Sequence, residues 1–116
     1  MAQEENDPDV GEPEPEEAQV PFLSPYDYLY AVYPGLARRM DCVIVRESRW
    51  DPGAYNRSSG AAGLLQFLLG TWLSTPQGKA GASRYDPYAA IDGAAWLITH
   101  DAKSWRHWSP VLFGMC

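Results

Sequence analysis

Glu47 is the only glutamate in the chain after position 21. Residues 35–50, GLARRMDCVIVRESRW, carry a helical repeat. At about 100° per residue, Leu36, Met40, Val43 and Ile44 form one stripe, while Arg38, Arg39, Arg46 and Arg49 face the other way. Glu47 falls about 20° from Leu36 on this wheel, inside the apolar stripe and in the last turn. Such breaks of pattern gather at functional sites. Burial disfavours the charged form of a carboxyl and raises its pKa. A carboxylic acid still protonated near neutral pH is what a general acid needs to donate to a glycosidic oxygen. The same pattern would arise from a buried glutamate satisfied by Arg46, Arg49 or backbone donors, or from one capping the stripe at its solvent edge.

Gln66 interrupts an apolar run, LLQFLL, and must find partners there. On its own chemistry it would brace the turn formed by Gly60 and Gly63, two glycines that bring this loop toward Glu47. Ser48 follows the acid and is expected to bond locally. Most of the five tryptophans and seven tyrosines must fill the core. A few flat rings with polar tips suit a sugar path, and Tyr88, Trp105 and Trp108 are the candidates. His100 and His107 have no cysteine or carboxylate cluster at ligand spacing, so no metal site is expected. No cofactor is expected, and neither histidine stands in a nucleophile-elbow context that would support Ser-His hydrolysis.

The elements that must position these groups are mostly helical. The helix over 35–50 is expected to end at Asp51 and Pro52, because the residue before proline avoids helical dihedrals. A second helix is predicted over 86–105, with Asp86 as N-cap and Pro87 in the first turn. Its buried stripe is Ile91, Ala94, Ile98, Ala102 and Trp105, with Asp92, His100 and Lys103 pointing away. A short helix is expected around 70–75, a loop over 78–83 and a further turn or two over 26–33. No stretch alternates with period two, so the fold is expected to be mainly α, with at most a short hairpin near 60–67.

Charge divides the chain. Residues 1–21 hold eight acids, four prolines and no base, whereas the remainder holds seven acids and all nine bases: a −8 arm on a +2 body. Such an acidic, proline-rich segment buries too little apolar surface to order itself, and serves as a linker or as a docking arm for a basic protein partner. Residues 22–116 are read as one domain. Nucleic-acid binding is not expected without a dense basic patch. Nor does any apolar run approach the ~20 residues of a membrane span. The start, MAQEENDPDV, has neither the basic nor the apolar region of a signal peptide. Cys42 and Cys116 could close a loop worth about 4 kcal/mol in chain entropy, or remain two thiols.

The run ESRWDPGAYNRSSGAAGLLQFLLGTW resembles the signature of the soluble (SLT-type) lytic transglycosylases of the lysozyme-like superfamily. The matching pieces are Glu47 with Ser48, Asp51 with Pro52, the stretch GAAGLLQF at 60–67, and Thr71 with Trp72. Asp86, Pro87 and Tyr88, followed by Ile91, Asp92, Gly93, Trp96 and Leu97, resemble the family's next helix. The resemblance implies a small lysozyme-like helical domain that cleaves the β-1,4 link between N-acetylmuramic acid and N-acetylglucosamine in peptidoglycan glycan strands. It implies that Glu47 first protonates the leaving oxygen, then serves as base toward the muramoyl 6-hydroxyl, giving a 1,6-anhydro product. Ordinary glycosidases use two carboxyls. By the same resemblance Gln66 lines the cleft, and a backbone group at Leu65 contacts substrate. Asn56, Ser58 and Ser59 compete to support the catalytic carboxyl. The family's Ala-Tyr-Asn-Ala-Gly segment is missing, and SWRHWS at 104–109 stands in its place or leaves the cleft more open. The implied site of action is the cell wall or periplasm, and a phage virion component fits a chain without its own leader. A non-catalytic wall-binding or structural module, or a muramidase, are the alternatives on the same fold.

Overall fold

The computed structural model describes residues 22–116; the expectations for residues 1–21 lie outside the described residues. Six helices and one 3-10 turn make up the domain: α1 Pro25–Val32, α2 Ala37–Ser48, α3 Leu69–Leu73, α4 Pro76–Lys79, α5 Pro87–His100, the 3-10 turn Ser104–His107, and α6 Ser109–Leu112. Among these residues extended pairing is limited to two isolated bridges, Tyr55 with Ala62 and Ala62 with Phe67. The fold is therefore mainly α, and the expected hairpin is reduced to that double bridge.

The apolar stripe of α2 enters the core as read: Met40, Val43 and Ile44 are fully buried, beside Leu29 of α1 and Ala90, Ile91, Ala94, Ala95, Leu97 and Ile98 of α5. All four arginines of α2 and its end are exposed. α1 packs on α2 and α5, α4 and the 3-10 turn pack on α5, and α6 reaches back to α2. Trp72 of α3 fills the middle and is anchored by its Nε1, which donates to the Ala82 carbonyl at 2.8 Å.

Four expectations are corrected. The first concerns the end of α2, which comes at Ser48, before Asp51 and Pro52. Arg49 (φ 55°) and Trp50 (φ 63°) both take left-handed dihedrals, and the Arg49 N–H closes the helix on Ile44 and Val45. Non-glycine residues tolerate this only when the surroundings enforce it. Here the Trp50 Nε1 donates to Asp41 Oδ1 at 2.8 Å and fixes the reversal. Second, α5 stops at His100, so Ala102 is exposed rather than on a buried stripe, and Trp105 sits in the separate 3-10 turn. Asp101 takes extended dihedrals there (ψ 145°). Third, Asp92 does not point to solvent: its Oδ1 accepts from the Tyr28 hydroxyl at 2.7 Å and the Tyr33 hydroxyl at 2.6 Å. Burial first, and this carboxylate second, push Tyr28 up to about 12. Fourth, residues 78–79 are not loop but complete α4, started by Thr75, whose Oγ1 accepts from the Gly78 N–H.

Cys42 and Cys116 are joined in a disulfide across a separation of 74 residues. It ties Cys116 to the middle of α2. Arg39, also on α2, reinforces the tie by donating from Nε to the Cys116 carbonyl at 3.1 Å while its guanidinium lies 4.9 Å from the Trp105 ring.

Candidate active site

α2 delivers Glu47 to the wall of a cavity of about 310 Å³. Its rim and floor come from three places. Asn56, Ser59, Ala61, Gln66 and Phe67 belong to the loop after α2. Leu68 and Thr71 come with α3, and His107, Trp108, Ser109 and Leu112 come from the C-terminal segment. Glu47 is partly buried, and among the described residues its carboxyl has no hydrogen-bond or ion-pair partner. Loss of water, uncompensated by any donor, raises its pKa above the ordinary carboxylate value. Its place in the last turn of α2, at the negative end of the helix dipole, works in the same direction. Arg46 and Arg49 are exposed and take no part in its environment. The site thus offers an unpartnered acid, its pKa raised by burial, facing open volume.

The loop that meets Glu47 is built on its backbone. Asn56 Oδ1 accepts from the N–H groups of Ser58 (2.9 Å) and Ser59 (3.2 Å), and Ser59 Oγ accepts from the Ala61 N–H at 3.1 Å. The Arg84 Nη1 donates to the carbonyls of Gly60 and Phe67, 2.9 Å each, clamping both ends of the turn. Gly63, at φ +85°, rests directly on Arg84: a Cβ built there would lie 2.1 Å from the Arg84 carbonyl oxygen. Gly63→Ala therefore combines left-handed strain with a backbone collision, and is expected to cost about 3 kcal/mol. A Tm lowered by roughly 10 °C or more in a thermal melt checks this.

Gln66 both braces the turn and faces the cavity. Its Nε2 donates to the carbonyls of Gly63 (3.0 Å) and Ala54 (3.2 Å), bracing the turn, and the residue lines the cavity. Its backbone is held at φ 48°, an uncommon region for a non-glycine residue. Trp108 also lines the cavity, although it is 4 % exposed, and its Nε1 donates to the Leu65 carbonyl at 2.9 Å. That bond engages the Leu65 backbone group, and the Leu65 side chain is buried in the core. Asn56 and Ser59 line the cavity with Glu47; Ser58 is exposed beside it and is not among the lining residues. Ser48 bonds locally, donating from Oγ to the Ile44 carbonyl at 3.3 Å, as its position suggested.

Tyr88 and Trp105 are not among the residues that line this cavity. The Tyr88 hydroxyl donates to the Leu23 carbonyl at 2.6 Å and its ring packs edge-on against Tyr28 at 5.2 Å, near the start of α1. Trp105 packs against the core beneath Arg39, because α5 ends early and the 3-10 turn swings its ring to that side.

Among the lining residues not singled out as contact groups from the sequence are Thr71, Leu112 and His107. Thr71 stood inside the matching Thr-Trp pair and could have been found there. Leu112 gave no signal. His107 was weighed only as a metal ligand or nucleophile partner, whereas its Nε2 lies 2.8 Å from Asp101 Oδ2. A larger, shallower hollow of about 650 Å³ runs along Tyr30, Arg38, Asp41, Cys42, Val45 and Arg46. Its carboxylate is already occupied, since Asp41 accepts from Tyr30 (2.8 Å) and Trp50 (2.8 Å), so it holds no acid free for chemistry.

The described residues form a small helical domain with one unpartnered acid at the end of α2, facing a polar-rimmed groove. The family itself is identified by its sequence pattern: the model of the transglycosylase SLT domain matches residues 35–114, and the chain belongs to that family. At family level the activity is lytic transglycosylase-type cleavage, and the substrate is peptidoglycan. No curated protein and no solved structure matches the chain.

Proposed function

We propose that this domain cuts the β-1,4 link between N-acetylmuramoyl and N-acetylglucosaminyl units with Glu47 as its sole acid and base, releasing a 1,6-anhydromuramoyl end. The observation that carries the reading is the Glu47 carboxyl, desolvated yet unpartnered on the wall of an open cavity. Glu47 donates its proton to the bridging oxygen as the C1–O bond breaks. The resulting carboxylate then takes the proton of the 6-hydroxyl as that oxygen closes on C1. The acid is regenerated, and no water is consumed. A second carboxyl at the distances used by retaining or inverting glycosidases is not required for this sequence of steps.

Peptidoglycan digested with the protein and examined by mass spectrometry tests the proposal. Products ending in the anhydro sugar are expected. Ordinary reducing ends would make the protein a muramidase, and undigested glycan would favour a wall-binding module. The acid role also fixes a pH limb. Because the reactive form is protonated, kcat/KM is expected to fall as pH rises through the raised pKa of Glu47. A pH–rate profile whose basic limb lies above the ordinary carboxylate range checks this.

A further inference from the structure

The cleft contains a second polar group whose placement the acid chemistry does not use. His107 closes the 3-10 turn and forms part of the cavity wall that Glu47 also lines. Its ring is mostly covered, with a side-chain exposure of 14 %, and lies edge-on to Trp108 at 5.8 Å. Trp108 is itself fixed through Leu65. One nitrogen is committed: Nε2 sits 2.8 Å from Asp101 Oδ2. Asp101 is held there as a carboxylate, because the Lys103 N–H (3.0 Å) and then His107 both donate to it and keep its pKa below the usual value. A carboxylate has no proton to give, so the Nε2 carries it and the tautomer is set. In the neutral ring Nδ1 then has the lone pair, and among the described residues it has no partner.

The turn does not need this pair to hold its shape. The Ser104 Oγ donates to the Ile98 carbonyl at 2.8 Å, and the Lys103 N–H already caps Asp101. An oriented imidazole with a vacant acceptor on a cleft wall matches a ligand rich in donors. Glycans supply them as hydroxyl O–H and acetamido N–H groups.

We propose that His107, oriented by Asp101, is a substrate-binding residue of the Glu47 cleft that accepts a hydrogen bond through Nδ1 from a hydroxyl or acetamido donor of the glycan. This rests on the reading of the cleft as a peptidoglycan site. It places the contact in SWRHWS at 104–109, the stretch that follows α5.

The test separates binding from cleavage. A tetrasaccharide of alternating N-acetylglucosamine and N-acetylmuramic acid is titrated calorimetrically into the full chain carrying Glu47→Gln, and into the same chain carrying His107→Phe as well. Phenylalanine keeps a ring against Trp108 and removes both nitrogens. Kd is expected to rise about tenfold, the worth of one hydrogen bond. In the chain with Glu47 intact, His107→Phe is expected to raise KM by a similar factor with kcat nearly unchanged, the mark of uniform binding. Nitrogen NMR of the Glu47→Gln chain, with no change at position 107, should show His107 protonated on Nε2 and its Nδ1 resonance shifting when the saccharide is added. Unchanged Kd and KM in the His107→Phe chains, or an Nδ1 resonance indifferent to saccharide, overturns the proposal. If the chain binds saccharide but never cleaves it, the catalytic reading of Glu47 fails while the Kd ratio still decides for or against His107. No saccharide binding at all overturns both.

Discussion

Glu47→Gln is expected to abolish peptidoglycan cleavage, lowering kcat by about 10³-fold or more, while leaving fold and glycan binding in place. The magnitude follows from the step removed: a positioned proton donor contributes about 10²–10⁴ in rate, and in the proposed mechanism the same group also serves as base. Glutamine matches the side chain in shape and carries no acidic proton. The substitution should also stabilise the protein at neutral pH. In the folded state the Glu47 pKa is raised, so between its unfolded and folded values the folded protein binds more protons than the unfolded chain. Stability therefore declines as pH rises through that window, and the decline is complete above the folded pKa. Glutamine has no such dependence. The variant's Tm should exceed the wild type's near neutrality, with the difference shrinking as pH falls below the ordinary carboxylate range. Reducing-end and anhydro-end assays measure the first effect, and melts at several pH values the second. A variant that keeps its activity would remove the acid role altogether.

Opening the Cys42–Cys116 disulfide is expected to have the largest effect on stability. Loss of a cross-link over 74 residues costs about 4 kcal/mol in the chain-entropy account. For a body of this size that is a large share of a typical total stability of about 5–15 kcal/mol. The consequence extends to the cleft. Trp108, Ser109 and Leu112 wall one side of the Glu47 cavity, and the tail end of that segment is pinned to α2 by this bond. A Cys42→Ser, Cys116→Ser double variant should melt more than 15 °C lower and lose glycan binding along with activity. The remaining Arg39 contacts, to the Cys116 carbonyl and to Trp105, are exposed and hold the segment only weakly.

What the sequence revealed, and what it did not, divides along physical lines. The α2 stripe was legible because helical periodicity is a local property, and the same wheel that put Met40, Val43 and Ile44 inside put Glu47 beside them. Asp86 was legible as a cap for the same reason: its Oδ1 accepts from the N–H groups of Tyr88 and Ala89. The helix ends were not. Arg49 and Trp50 adopt left-handed dihedrals that their residue types disfavour, and what enforces them is a tertiary bond from Trp50 to Asp41. The end of α5 at His100 likewise follows from Asp101, whose side chain turns to the Lys103 N–H. Asp92 was misread because its partners, Tyr28 and Tyr33, lie some sixty positions away in the chain. Within the cleft, the groups contributed by the Glu47 loop were found by their local motif. His107 was not, because its meaning depends on a carboxylate across a turn and on a cavity assembled from three separate segments.

The account turns on a solitary carboxyl that its surroundings strip of water without giving it a counter-charge. Carbon-detected NMR titration of the Glu47 side chain, assigned by comparison with Glu47→Gln, tests this directly. The account predicts a carboxyl that stays protonated above the ordinary glutamate range and shifts further when a saccharide enters the cleft. A titration at or below the ordinary value would mean that the carboxyl is hydrated or paired with a cation, and would contradict it.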